Sequence, residues 1–178
     1  MAVLPVLLYP NPLLKSVCEP VTEITGEIRA FIADLLETMD HAPGCVGIAA
    51  PQVGKLLRII VIDASKNPKI PHHHGRMVLI NPIIESSEGE VMGREGCLSL
   101  PHLTANVKRA KTILFRALAA DGTPIRIETS DFEARLVLHE ADHLDGILFL
   151  DRVSSLKTDV FRRKNYAPGT RPQSSSQP

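Results

Sequence analysis

The sequence predicts an α+β domain, mostly antiparallel sheet arranged around one central metal-binding helix. Three observations point there. Strand-like runs come first and a single well-signalled helix comes late, an order that disfavours a doubly wound parallel sheet. Two of the runs are joined by Asp121-Gly122, a hairpin signal. The late helix carries His139-Glu140-x-x-His143, two imidazoles four residues apart.

Near the start, Thr25 is placed to cap a helix running to Met39, on which Ile28, Phe31, Ile32, Leu35 and Met39 recur at helical spacing. An amphipathic helix packed on the core is its plain reading. Residues 56–63 (LLRIIVID) and 77–84 (MVLINPII) read as buried strands, separated by the polar loop SKNPKIPHHHG. Residues 112–119 and 124–128 form the two arms of the hairpin. Ser130 and Glu133 have capping-box spacing at the head of the metal helix, and Gly146 is a candidate C-cap. A short second helix is expected over residues 153–163. Residues 1–166 are read as a single catalytic domain, and residues 167–178 (APGTRPQSSSQP) as a disordered tail.

Composition narrows the function. Apolar residues make up 44% and charged residues 22% of 178 positions, which suits one globular domain with a real core. The formal net charge of +0 gives no reason to expect nucleic acid or an anionic membrane as the main partner. The apolar start, MAVLPVLLYPNPLL, holds three prolines and no basic lead, so neither a signal peptide nor a membrane anchor is expected. An odd, small set of cysteines (Cys18, Cys45, Cys97) points to a reducing, cytoplasmic setting.

On a helix, positions i and i+4 stack on one face, so His139 and His143 can aim both imidazoles at one cation. Glu140 sits about 100° around, in reach of a water on that cation but not placed as a ligand. Two histidines leave a metal site incomplete. No histidine follows His143, and position 149, where one zinc-peptidase spacing needs a third, is Phe149. Upstream, His72, His73 and His74 read best as a solvated loop, and Cys18 as a small buried residue. Cys45 and Cys97 remain. Cys97 is the better candidate, because it follows a strand-like run by a short polar connection and Gly96 allows close backbone approach.

GIAAPQVG (residues 47–54), EGCLS (95–99) and HEADHLDG (139–146) resemble, in order, the three signature motifs of the peptide deformylase family. YPNPLL, LINP and DRVSSLK extend the resemblance over nearly the whole chain. It implies a hydrolase that removes the N-terminal formyl group from formyl-methionine of nascent peptides and releases formate. It implies that Cys97 is the third ligand beside His139 and His143, with water in the fourth position. Fe²⁺ is the cellular metal the family favours, with Ni²⁺, Co²⁺ or Zn²⁺ able to take its place. The Gln52 amide and the Leu98 N–H are the implied oxyanion donors, and Glu140 the proton shuttle. For the methionine pocket, Leu136 and Phe132 on the helix and Val46 and Ile48 opposite are candidates. The backbone at Val46, Gly47 and Gly96 is a candidate cradle for an extended substrate.

Asp142 is a candidate partner for a ligand imidazole, or else a helix-surface pair, and Glu95 a candidate partner for Arg109. The run Arg162-Arg163-Lys164 is a candidate ribosome contact, although a solvated helix end is its plainer reading. The pattern departs from the family at Cys45 (usually Gly), Leu138 (usually Gln) and Thr104 (often Arg). These departures keep two other readings open: a degenerate deformylase that binds metal or peptide without turnover, and a metallopeptidase on the same helix.

Overall fold

The computed structural model describes residues 2–163. Helix α1 (Gly26–His41) begins at Thr25, whose hydroxyl accepts the Ile28 N–H, and it buries Ile32, Leu35, Thr38 and Met39. The strands follow as β1 (Gly47–Ala49), β2 (Ile59–Asp63), β3 (Arg76–Glu88), β4 (Val91–Cys97), β5 (Leu100–Arg109), β6 (Thr112–Leu118) and β7 (Pro124–Ser130). Helix α2 (Asp131–Leu144) and strand β8 (Val160–Arg162) complete the order. A five-stranded antiparallel sheet runs β1-β2-β3-β6-β7, and a three-stranded one runs β4-β5-β8. The α+β expectation holds, with α2 between the sheets.

Strand β2 explains why its sequence is apolar without alternation. Both faces are covered: Ile60 and Ile62 pack in the core that holds Ala134, Leu136 and Val137 of α2, while Ile59 and Val61 pack with Ile32, Leu35 and Met39 of α1. A third core under the small sheet gathers Leu14, Cys97, Leu100, Ala105, Val107, Leu148 and Phe149. At β3 the register shifts between Ile80 and Ile83, where Asn81 takes a φ of 52°. Its amide accepts the Val21 N–H at 2.8 Å and donates to the Val21 carbonyl at 2.8 Å. An irregularity in the strand thereby ties the N-terminal segment to the sheet.

Two local expectations need correction. Residues 153–163 do not form a helix. Instead β8 pairs Val160 and Phe161 with Ala105 and Thr104 on the edge of β5, and Asn106 N–H donates to the Asp159 carbonyl at 2.8 Å. An open sheet edge offered ladder hydrogen bonds that a short isolated helix could not match. The Ser130/Glu133 capping box is absent too. Ser130 makes no side-chain cap, and the Glu133 carboxylate, which would supply the return bond, is fully buried and accepts from His74 N, His74 Nδ1 and Thr129 Oγ1. Of the histidine run, His74 is therefore tied to α2 while the loop stays exposed. The tail expected over residues 167–178 lies outside the described residues, as does Lys164. Among the described residues, no helix is long and apolar enough to cross a membrane.

Gly146 does end α2. Its φ is +68°, and Ile147 N–H reaches back to Asp142 O at 2.9 Å while Gly146 N–H reaches His143 O at 3.2 Å, a Schellman closure. A Cβ there would lie 2.6 Å from the Lys15 carbonyl, so the position is both left-handed and crowded. Gly146→Ala should therefore lose about 2–4 kcal/mol in a denaturant titration, more than the roughly 1 kcal/mol of the backbone preference alone. A loss within 1 kcal/mol would show that the Lys15 segment simply yields.

Candidate metal centre

Cys97 closes β4, where a two-residue turn, Leu98-Ser99, leads into β5 and pairs Cys97 with Leu100. His139 and His143 face it from α2. One ligand atom from each of the three residues lies within 4.8 Å of the others, and all three are buried. Cys97 Sγ is 3.3 Å from His143 Nε2, and the two imidazole rings meet edge-on with centroids 5.2 Å apart. Burial alone would push the Cys97 thiol up. The His143 charge and hydrogen bonds from both histidines outweigh it and hold the thiol well below its ordinary value, so a thiolate is favoured. One soft anionic donor and two imidazoles form a ligand set suited to a first-row divalent cation.

The orientation of each donor has a cause. His139 Nδ1 bonds Glu95 Oε2 at 2.8 Å, which turns its Nε2 toward the cluster. Glu95 also receives Arg109 Nε and Nη2 at 2.8 and 2.9 Å and Arg135 Nη1 at 2.8 Å. Although its own burial opposes ionisation, Arg109 and His139 hold its carboxyl far below the usual range. The expected Glu95–Arg109 pair is thus present, and Glu95 rather than Asp142 supports the imidazole. Asp142 instead bonds Arg109 Nη1 at 2.6 Å and Arg152 Nη2 at 2.6 Å. Sequence reasoning missed Arg135, Arg152 and Ser99. The signal for Arg135 was its place four residues before His139, on the same helix face within an apolar run.

Glu140 is 3% exposed, and its Oε2 has no hydrogen-bond partner among the described residues. Burial pushes its carboxyl up to about 7, against the opposing pull of His139 and His143. His143 Nδ1 is likewise buried without a partner. Gly47 accounts for the fit between β1 and α2: a Cβ there would sit 2.8 Å from Glu140 Oε1 and 2.8 Å from Leu136 Cδ1. Gln52, 2% exposed, has a fixed amide orientation, since its Oε1 must accept the Ala49 N–H at 2.9 Å. Its Nε2 then points at Cys97 Sγ, 3.3 Å away, and at Ser99 Oγ, 3.1 Å away.

A cleft of about 650 Å³ opens onto this cluster, lined by Val46, Gly47, Gln52, Gly96, Leu98, Phe132, Leu136 and Glu140 among others. Of the pocket candidates, Ile48 is the exception. It is fully buried in the α1-side core, because alternate residues of β1 point to opposite faces. Leu138 packs against the α2-side core in place of a polar group. Cys45 lines the cleft but is 7% exposed, and its thiol donates to the Gly47 carbonyl at 3.1 Å. Burial pushes that thiol up to about 12, which leaves it a poor oxidation target.

Two measurements check this arrangement. Arg109→Ala removes the guanidinium that two buried carboxylates share and should destabilise by about 3 kcal/mol. In the folded protein, iodoacetamide at neutral pH should label Cys45 at least about a hundredfold more slowly than in the unfolded chain, as its depleted thiolate requires.

Known proteins agree with this geometry. A family model described as polypeptide deformylase matches residues 3–159. A peptide deformylase of Thermodesulfovibrio yellowstonii is 44% identical over 164 residues, covering 92% of this chain and 97% of the relative. One from Acidothermus cellulolyticus is 46% identical over 153 residues, covering 86% and 80%. Among solved structures, a peptide deformylase from Legionella pneumophila superposes with a TM-score of 0.79 at 38% identity, covering 88% of this chain and 89% of that one. One from Ehrlichia chaffeensis in complex with actinonin gives 0.81 at 33% identity, covering 88% and 92%. A buried cysteine-and-two-histidine cluster at the floor of a cleft, on a fold shared over almost the full length of these proteins, makes this chain a member of the peptide deformylase family, a metal-dependent hydrolase acting on N-terminal formyl groups.

Proposed function

We propose that Cys97, His139 and His143 hold one divalent cation, Fe²⁺ in the cell, and that the surrounding residues divide the work of deformylation among them. The observation that carries this is the meeting of three buried ligand atoms within 4.8 Å beside an unpartnered Glu140 carboxylate oxygen. The cation supplies Lewis acidity, which makes water nucleophilic near neutral pH and polarises a carbonyl. Glu140 takes the proton that water gives up and hands it to the departing amine, a task suited to a buried carboxylate beside the cluster with one oxygen unpartnered among the described residues. The Gln52 Nε2–H and the Leu98 backbone N–H donate to the oxygen that gains charge as the formyl carbon becomes tetrahedral. Such donors are typically worth about 3–4 kcal/mol each.

The methionine side chain enters between Val46 and the helix residues Leu136 and Phe132. Its peptide lies along Val46, Gly47 and Gly96. Two carbonyls of that cradle are already engaged, Val46 O by the Asp63 N–H at 2.7 Å and Gly47 O by the Cys45 thiol. Residues 1–166 act as one catalytic unit in the cytoplasm on formylated nascent peptides, with the run Arg162-Arg163-Lys164 as a candidate ribosome contact.

Formate release from formyl-Met-Ala-Ser by anaerobically prepared protein tests the reading. Glu140→Ala should lose about a thousandfold in kcat or more while keeping its metal. Cys97→Ser should lose metal as well as activity. Cleavage of unformylated peptides, with metal retained in Cys97→Ser, would favour a peptidase. Metal and peptide binding without formate from the wild type would favour a degenerate member.

A further inference from the structure

The small sheet carries a second set of groups facing the cleft. Gly96, Thr104 and Phe161 are directly paired across β4, β5 and β8, so they share one face. Arg94 lies two residues before Gly96, and Arg163 two residues after Phe161, where its backbone N–H donates to His102 O at 2.9 Å. Strand alternation puts both arginines on that same face. The small side chains at 96 and 104 leave room above the sheet, and Arg163 fills it. Its Nη2 occupies the place a Cβ on Gly96 would need, with Thr104 Cγ2 3.5 Å from the same point. Arg94 stacks on the Phe161 ring at 3.7 Å and reaches Thr104 Oγ1 at 3.4 Å. Both guanidinium groups line the cleft, and Arg163 is exposed.

Away from the metal cluster, the other charges lining the cleft are engaged elsewhere. Asp40 pairs with Lys66 at 2.8 Å and with Arg76 at 2.9 Å, and Arg135 is held by buried Glu95. Among the described residues, Arg94 and Arg163 meet a ring, a hydroxyl and a glycine instead of a carboxylate. Arg163 also lies directly on Gly96, beside which the substrate backbone leaves the metal cluster in the reading above.

On that reading, we propose that Arg163, on the same wall as Arg94 and Phe161, is a specificity-determining residue: its guanidinium recognises a carboxylate on the second or third residue of the substrate peptide. The planar fork of an arginine suits a carboxylate acceptor, and the stacked Arg94 adds a second positive charge on the same wall.

Affinities of C-terminally amidated Met-Xaa-Ser and Met-Ala-Xaa, with Xaa as Glu, Gln or Lys, measured by NMR titration of the metal-loaded protein, test this without requiring turnover. The expected order is Glu, Gln, Lys at one of the two positions, with about fivefold between the ends at low salt and a smaller spread at 1 M salt. Arg163→Gln should flatten the order, Arg163→Lys should keep part of it, and Arg163→Glu should reverse it. An order that is absent in the wild type, or unchanged in Arg163→Glu, overturns the proposal. So does a uniform gain in affinity for all peptides in Arg163→Gln, since Arg163 would then only obstruct. Formate release from the formylated peptides, followed in parallel, separates the two questions: its absence would sink the deformylase reading, while the binding order still decides the role of Arg163.

Discussion

The buried Glu95 carboxylate is the constraint on which the centre depends. It sits on β4 two residues before Cys97, and it is bonded by Arg109 of β5 and by Arg135 and His139 of α2. A carboxylate that is 5% exposed is costly unless its lone pairs are satisfied. Satisfying it requires the cysteine strand, its neighbour and the histidine helix to stand in one relative position. Asp142, shared between Arg109 and Arg152, extends the same restraint to the segment that follows the helix. Three ligand atoms from elements far apart in sequence are thereby held at cation-binding distance by a charge network that touches only one of them.

Close packing supplies the rest. Gly47 lets the β1 backbone approach α2 closely enough that any side chain there would collide with Glu140 and Leu136. The two-sided burial of β2 locks α1 and α2 to opposite faces of one strand, so the large sheet is the rigid reference for the helix. The small sheet is anchored through its own core beneath Cys97. Its open edge takes up β8, which brings Arg163 to the cleft.

Much of the architecture was legible because its signals were local. Apolar period, the Thr25 cap, the Asp121-Gly122 turn and the Gly146 stop each act within a few residues, and each is where the sequence put it. Strands β4 and β5 escaped notice because VMGREGC combines two glycines with charges, and its burial alternates only once the sheet exists. The false helix after residue 153 and the missing capping box share one cause. Val160 and Phe161 found a strand edge, and Glu133 found His74, and neither partner is near in sequence.

The sequence by itself determined the candidate groups: the thiol, the two imidazoles one turn apart, the adjacent carboxylate and the amide of Gln52, each identifiable by type and motif. Tertiary structure alone decided which carboxylate supports His139, which wall residues face the cleft, that Ile48 faces away from it, and that Arg163 reaches Gly96. The division is physical. Residue type and short-range spacing fix what a group can do, whereas burial, register and long-range pairing fix where it points and what charge it carries.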